Sequence, residues 1–315
     1  MKTRAANGMA APDGTFLDFG GKGAALLFLH ANGYPPACYR PLLATLEAKY
    51  HVLAAPLRPL WPGADPQDLH DWRILSTDLA RSMEQQLVAP TVVAGHSMGA
   101  TVALRTALHH PELFSGLILM DPVIIPPAAM LAWTAARRLG IGSRLRALIR
   151  SARRRRKAFG NLETAFQSYR AKAVFRHVSD ENLRVCVLGM LQRSQNGDYS
   201  LIYPPAWEAR VYYTAIWKDW DLWQHIGDLR IPTLILRGSK SDTFWRSTAR
   251  AIMKRNSGIR IAEVEEASHL APLERPEQMA HTSVAFLEEQ AEHGWRGGRG
   301  ERHRTGVGAF ENGRI

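Results

Sequence analysis

The sequence predicts an α/β fold, in which helices flank a mostly parallel central sheet. Two observations support this class: short apolar runs recur along the chain, and longer segments with helical spacing separate them. With 315 residues, 46% of them hydrophobic, the chain can bury one large core. The predicted strands are residues 25–29, 51–55, 91–94, 117–120, 233–236 and, interrupted by two charged residues, 259–264.

A helix is predicted directly after the third of these strands. It covers residues 100–109 and ends before Pro111, which cannot continue it. A strand, a short turn and a helix therefore enclose the run Gly95-His96-Ser97-Met98-Gly99.

A second segment differs in composition from the rest of the chain. Between residues 126 and 215 the strand pattern stops, and arginines and aromatic residues at helix-compatible spacing take its place. We therefore expect a helical cap at 126–215, inserted into a core domain formed by 1–125 and 216–293. The Gly- and Arg-rich residues 294–315 are predicted to be a flexible tail.

The net charge of +11 is concentrated in the expected cap, which contains 16 Arg and Lys but only 5 Asp and Glu. Residues 141–150 place Ile141, Leu145, Leu148 and Ile149 on one helical face and arginines on the other, and the basic run 153–157 follows. A solvated face is the favoured interpretation, since charge runs usually face water. Peripheral contact with an anionic membrane and docking of an acidic partner are alternatives, and no specific nucleic-acid binding is expected.

Cysteine usage and the N-terminus favour a cytoplasmic protein. Cys38 and Cys186 have no CxxC or Cys/His spacing, so neither a disulfide framework nor a zinc site is expected. Residues 1–8 carry no apolar stretch behind their basic start. The cluster Asp65, Asp68, His70 and Asp71 lacks ligand spacing, and we expect neither a metal nor a cofactor.

Ser97 is the candidate nucleophile. A serine hydroxyl is a weak nucleophile near neutral pH, so it needs a base, a carboxylate that orients the base, and donors for the oxyanion. Gly95 and Gly99 carry no side chains, which would let the strand and helix on either side of Ser97 approach each other.

In this setting the motif resembles the nucleophile elbow of the α/β-hydrolase fold superfamily, and the chain looks like an esterase- or lipase-like serine hydrolase with a helical cap. In that family the acid and then the histidine follow the serine along the chain. The loop 237–242 is similar to the family loop that carries the acid, which implies Asp242. Residues 266–277 resemble the loop that carries the base, which implies His269. Asp121 directly follows the predicted strand 117–120. It is a competing acid, because some family members place the carboxylate at this position.

The resemblance also implies two backbone amides for the oxyanion. Met98, directly after the nucleophile, supplies one. The loop His30-Ala31-Asn32-Gly33-Tyr34 supplies the other. Asn32 is the expected donor if Ala31 occupies the family's glycine position, and Tyr34 is the alternative. His30 is expected to be structural.

The predicted function is hydrolysis of an ester or related acyl bond in a small, apolar substrate through an acyl-enzyme. Serine at position 97 favours acyl transfer. An aspartate there would instead suggest a dehalogenase or an epoxide hydrolase, whose carboxylate attacks carbon. Thioester, lactone and carbon–carbon hydrolysis, perhydrolysis and acyl transfer remain open, as does a non-catalytic ligand-binding or receptor module on the same fold. Core packing is the favoured interpretation for most of the cap aromatics, and lining of an acyl pocket the alternative. These aromatics are Trp133, Phe159, Phe166, Tyr169, Phe175, Trp207, Tyr212, Tyr213 and Trp217.

Overall fold

The computed structural model describes residues 14–131, 143–215 and 219–292, and a large sheet forms the centre of this part of the chain. Its strands are β1 (Leu17–Gly20), β2 (Ala25–Leu29), β3 (His51–Ala55), β4 (Thr91–His96), β5 (Phe114–Met120), β9 (Thr233–Gly238) and β10 (Ile259–Val264). A second, small sheet contains β6 (Ala158–Phe159), β7 (Leu191–Arg193) and β8 (Tyr199–Leu201).

The large sheet has the strand order β1-β3-β2-β4-β5-β9-β10. The edge strand β1 pairs antiparallel with β3, and all other neighbours are parallel. Successive side chains of a strand point to opposite faces. Leu26 and Phe28 accordingly belong to one hydrophobic cluster, and Leu27 and Leu29 to the other. The sheet is thus covered on both faces, as the apolar runs predict.

Helices provide these covers. Those with both ends inside the described residues are α1 (Arg40–Leu46), α2 (Arg73–Gln86), α3 (Met98–His109), α4 (Ser143–Arg153), α5 (Leu162–Arg170), α6 (Asp180–Met190), α7 (Pro205–Thr214), α8 (Trp220–His225), α9 (Arg246–Arg255), α10 (Ala271–Glu274) and α11 (Pro276–Glu292). Side-chain caps begin two of them: Asn161 accepts from the amide of Thr164, and Ser179 from that of Asn182.

The strand predictions are confirmed for the six apolar runs, three of which extend further in the structure than predicted. The helix predicted at 100–109 begins two residues earlier, at Met98. The sequence pattern missed β1, because all four of its residues are half-buried and form no apolar run.

The segment from 143 to 215 contains helices α4 to α7. It also contains strands, so the expectation that the strand pattern stops here is wrong. Strands β6, β7 and β8 form an antiparallel sheet here in the order β6-β8-β7. They are two or three residues long and largely exposed or half-buried, so they lack the apolar runs that mark central strands. Buried residues of this segment, such as Phe166 and Trp207, join the same clusters as the sheet.

Several predictions concern residues outside the described ranges. They include the tail at 294–315, the N-terminal residues 1–8, and Trp133, Ile141 and Trp217. Within the described ranges, no helix has the length and apolar character needed to cross a membrane.

Candidate active site

Ser97 lies on a sharp turn between strand β4 and helix α3. Its backbone has φ 54° and ψ −116°, a conformation that residues with a side chain rarely adopt. The fold holds this strained conformation at the end of a buried central strand, where it places the hydroxyl at the tip of the turn. The residue is 7% exposed.

Both glycines of the motif are required by close backbone contacts. A Cβ at Gly95 would lie 2.7 Å from the carbonyl carbon of Gly99, and a Cβ at Gly99 would lie 2.5 Å from the carbonyl oxygen of Leu29. Contacts this short do not occur in folded proteins, so any larger residue would push α3 away from β4 or from β2. The glycines therefore set the position of Ser97 relative to the loop after β2.

His269 connects Ser97 to a buried carboxylate. Its Nε2 lies 3.0 Å from Ser97 Oγ, and its Nδ1 lies 2.6 Å from Asp121 Oδ2. A carboxylate can only accept at Nδ1, so the proton resides there and Nε2 is left to accept from the serine hydroxyl. This tautomer is the one that a general base for Ser97 requires.

The expectation that Asp242 pairs with His269 is corrected by this geometry. Both ring nitrogens of His269 are engaged, by Ser97 and by Asp121. Asp242 is exposed at the surface, and its carboxylate accepts from the hydroxyl of Thr243 at 3.3 Å. The competing candidate, Asp121, takes the position beside the base.

Asp121 is held by donors from the loop in which the acid was expected. It is fully buried after β5 with φ 45°. The amide of Gly238 donates to its Oδ1 at 3.2 Å, and the hydroxyl of Ser241 donates to its Oδ2 at 2.6 Å. Together with His269 these donors satisfy the carboxylate in the interior, where an unpaired charge would be costly.

Two backbone amides at the candidate oxyanion site donate to no described residue. The amide of Met98 is the first of helix α3 and has no acceptor within the described chain, as helix starts allow. The amide of Asn32 likewise donates to no described residue. The amide of Tyr34 donates to the carbonyl of Ala31 at 3.2 Å. The geometry therefore favours Asn32 over Tyr34 as the second donor.

His30 has the structural position expected of it. Its Nδ1 donates to the carbonyl of Ala31 at 2.9 Å, and its Nε2 accepts from the amide of Leu57 at 3.1 Å. Burial lowers the pKa of His30 from 6.5 to about 4, despite the backbone acceptor. The neutral ring thus fixes the start of the loop that carries Asn32.

A second buried histidine, His96, contacts the site from the core. The sequence did not predict this role. Its Nε2 donates to the backbone carbonyl of His269 at 2.8 Å, and its Nδ1 accepts from the hydroxyl of Tyr39 at 2.8 Å. The same hydroxyl accepts from the amide of Ala31 at 3.3 Å. Burial, and then the charge of His269, keep the pKa of His96 well below its ordinary value. This chain of bonds joins the base to the loop of Asn32.

The other residues singled out in the sequence take local roles. Asp65 accepts from the amide of Gln67, and Asp71 pairs with Arg73. The two cysteines, distant in sequence, meet in the core, where the thiol of Cys38 donates to the carbonyl of Cys186 at 3.3 Å. Most described aromatics of the cap are buried among core residues, namely Phe159, Phe166, Tyr169, Phe175 and Trp207.

The sequence matches the alpha/beta hydrolase family over residues 26–282, and the chain belongs to this family. The (E)-2-((N-methylformamido)methylene)succinate hydrolase of Acinetobacter baylyi is 21% identical over 275 residues, which cover 85% of this chain and 92% of the relative. A pimeloyl-[acyl-carrier protein] methyl ester esterase of Legionella pneumophila is 28% identical over 102 residues, or 32% of this chain and 39% of the relative.

Solved structures agree on the fold. The crystal structure of E-2-(acetamidomethylene)succinate hydrolase matches with a TM-score of 0.72 at 17% identity, covering 87% of this chain and 94% of its own. An esterase of Mycobacterium tuberculosis matches with a TM-score of 0.66 at 20% identity, covering 88% and 89%. The central sheet with its flanking helices is thus that of the α/β-hydrolase fold. The family and these relatives support a hydrolase that acts on ester or related bonds.

Proposed function

We propose that the chain is a serine hydrolase in which Ser97, His269 and Asp121 form the catalytic triad. His269 Nε2 takes the proton of Ser97 Oγ as this oxygen attacks an acyl carbon. The carboxylate of Asp121 holds Nδ1 and stabilises the imidazolium that forms. The amides of Met98 and Asn32 bind the oxyanion of the tetrahedral intermediate.

The second half of the reaction uses the same groups. When the tetrahedral intermediate collapses, the bond to the leaving group breaks and His269 gives its proton to that group, which leaves an acyl-enzyme on Ser97. His269 then takes a proton from water, whose oxygen attacks the same carbon. The bond between the acyl carbon and Ser97 Oγ then breaks, the carboxylic acid leaves, and His269 returns the proton to Ser97 Oγ.

One observation carries this proposal: the continuous row of hydrogen bonds from Ser97 Oγ through His269 to Asp121, with heavy-atom distances of 3.0 and 2.6 Å. The strained turn at Ser97 adds support, since the fold maintains an unfavourable backbone there. A non-catalytic ligand-binding module would not need this conformation or an oriented base.

The contacts within the site are common to the hydrolysis of several kinds of acyl bond, so we propose a panel of substrates. Short p-nitrophenyl esters, thioesters and lactones test the small apolar acyl substrate expected from the sequence. The relative from Acinetobacter baylyi covers most of the chain, and its name adds a substituted methylene succinate to the panel.

The decisive experiment compares Ser97→Ala with Ser283→Ala. Ser283 is a matched control because it is a buried serine whose hydroxyl donates to the carbonyl of Met279 inside helix α11. We expect a fluorophosphonate probe to label the wild type and the control but not Ser97→Ala, and ester hydrolysis to follow the same pattern. Undiminished hydrolysis by Ser97→Ala would refute the proposed nucleophile.

A further inference from the structure

Arg155 differs from its neighbours in the basic run 153–157. Arg154 and Arg156 are exposed, whereas the side chain of Arg155 is only 9% exposed. Its Nη1 donates to Glu208 Oε2 at 2.5 Å, and its Nε and Nη2 donate to the hydroxyl of Tyr169 at 3.1 and 2.9 Å. One arginine of the run is therefore an interior residue, in an ion pair between the end of α4 and helix α7.

This ion pair is stable in its charged form. Burial disfavours the charge of Arg155, but Glu208 and Tyr169 outweigh that effect and raise the pKa of Arg155 above its ordinary value. The side chain of Glu208 is itself only 14% exposed. We treat the pair as a fixed structural element, since separating its members would leave a charge unpaired in the interior.

The ion pair lies directly on the oxyanion loop, at Gly33. The backbone of Gly33 has φ +80°, and a Cβ there would lie 2.9 Å from Arg155 Nη1 and 3.1 Å from Glu208 Cδ. Arg155 Nη1 is also 3.5 Å from the carbonyl oxygen of Gly33. Glycine at this position lets two charged side chains of the cap segment reach the loop backbone.

The side chain of Asn32 is engaged by the same part of the chain. Its Oδ1 accepts from the hydroxyl of Tyr203 at 2.9 Å, and its Nδ2 donates to the backbone carbonyl of Glu208 at 3.1 Å. Tyr203 is 1% exposed and Asn32 is 7% exposed. Both polar ends of the amide side chain are thus used in contacts with the cap segment, while the backbone amide of Asn32 remains free.

The loop is consequently held from two sides. His30 and Tyr39 fix its start from the core, through Ala31. Tyr203 and the Arg155–Glu208 pair fix Asn32 and Gly33 from the cap segment. Oxyanion donors act through their exact placement, and a displacement of about 1 Å can cost a hundredfold in rate.

We propose that Tyr203 and the Arg155–Glu208 pair are positioning residues that set the direction of the Asn32 amide, so that stabilisation of the oxyanion depends on the cap segment. This inference rests on the proposed function. It also gives the arginine-rich run a role, since one of its members holds the oxyanion loop in place.

The test is the variant Tyr203→Phe, which removes the hydroxyl that donates to Asn32 Oδ1. Tyr199→Phe is the control, because Tyr199 is half-buried in β8 and its hydroxyl forms no hydrogen bond within the described chain. The readouts are kcat and KM for a p-nitrophenyl ester, and inhibition by an aryl trifluoromethyl ketone, which forms a tetrahedral adduct with serine.

For Tyr203→Phe we expect kcat and the affinity for the trifluoromethyl ketone to fall together by roughly tenfold, with KM nearly unchanged. Tyr199→Phe should keep wild-type values. In the double variant with Asn32→Ala, Tyr203→Phe should add less than about twofold, because it acts through Asn32. A purely stabilising hydroxyl would lower the melting temperature without this pattern.

Gly33→Ala provides a second route if Tyr203→Phe does not fold. Its Cβ would collide with the ion pair, so the same combined loss of kcat and ketone affinity is expected. The proposal is overturned if the variant that folds keeps both quantities at wild-type levels, or if Tyr203→Phe and Asn32→Ala are additive. Labelling of wild-type Ser97 by a fluorophosphonate is measured in parallel, so failure of the positioning role is distinguished from failure of the serine mechanism.

Discussion

Asp121 Oδ2 lies 2.6 Å from His269 Nδ1, although 148 residues separate the two along the chain. Strand β5 ends at Met120, beside strand β4, which ends just before Ser97, and so brings the carboxylate of Asp121 to His269. The donors Gly238 and Ser241 come from the loop after β9, the next strand in the sheet. Three adjacent strands, β4, β5 and β9, thus lead to the proposed nucleophile, the proposed acid and the donors of that acid.

Asp121→Asn is predicted to abolish most activity, and Asp242→Asn is its control. An amide at position 121 would favour the wrong tautomer of His269, so kcat should fall by roughly 10³- to 10⁴-fold. Asp242→Asn should stay within about twofold, as expected for an exposed side chain away from the base. The measurement is hydrolysis of a p-nitrophenyl ester. A large loss in Asp242→Asn with an active Asp121→Asn would reverse the assignment.

Gly99→Ala is predicted to destabilise the fold as well as the site. Its Cβ would lie 2.5 Å from the carbonyl oxygen of Leu29 and 2.7 Å from that of His30, both backbone atoms that cannot move aside independently. We expect a loss of about 3 kcal/mol in the free energy of unfolding, measured with urea. At Gly160 a Cβ would meet no atom within 4 Å, so Gly160→Ala should change stability by less than about 0.5 kcal/mol. Equal effects of the two substitutions would contradict the packing argument.

The sequence predicts the central strands well because they are buried on both faces and are therefore apolar throughout. The same criterion fails for β1 and for β6 to β8, whose exposed or half-buried residues form no apolar run. The Gly-x-Ser-x-Gly motif can also be recognised from the sequence, since close backbone contacts require glycine at both of its outer positions.

The acid of the proposed triad was harder to predict. Asp121 and Asp242 both follow a strand. The local sequence pattern does not predict that β5, which precedes Asp121, is the strand that lies beside β4. The contacts of Asn32 were hidden for a related reason: its partners Tyr203 and Glu208 lie more than 170 residues further along the chain. Side-chain pairing across such distances depends on packing, which periodicity does not encode.

His30 is predicted to make stability depend on pH. Its pKa is about 4 in the folded protein against 6.5 when exposed, so as pH falls below 6.5 the unfolded state binds the proton first. Stability contributed by the neutral ring is therefore complete above pH 6.5 and is lost as pH falls toward 4. Because His30 Nε2 accepts from the amide of Leu57, a proton on this nitrogen would face the N–H of Leu57 and break that hydrogen bond.

The variant His30→Gln removes this titration. Between pH 7.5 and 5, the free energy of unfolding of the wild type should fall by roughly 2 kcal/mol more than that of the variant. His96, whose pKa is also lowered, contributes in the same direction and leaves the variant with a residual slope. Urea unfolding at the two pH values measures both quantities. Equal losses in wild type and variant would show that His30 does not titrate as inferred.

The exposed arginines of the cap segment give a test of the membrane hypothesis. Arg146, Arg150, Arg153 and Arg154 are exposed, while helix α4 packs against α7. Because the exposed arginines carry most of this surface, we expect mainly electrostatic attraction: flotation with anionic vesicles at low salt and release at about 0.5 M salt. Replacing the four arginines with Gln should remove the low-salt binding. Retention in high salt, or by the substituted variant, would contradict this expectation.

Tyr39→Phe is predicted to weaken the site from the core side. The hydroxyl of Tyr39 donates to His96 Nδ1 and accepts from the amide of Ala31, so its removal leaves two buried polar groups without their partner. A loss of about 1–3 kcal/mol in unfolding free energy is expected for such a buried, unsatisfied pair. Since His96 Nε2 binds the carbonyl of His269, kcat should also fall, by roughly tenfold, with little change in KM. Tyr50→Phe, at a tyrosine only partly buried against the same core, is the control, and both effects in that variant would count against the role of the Tyr39 hydroxyl.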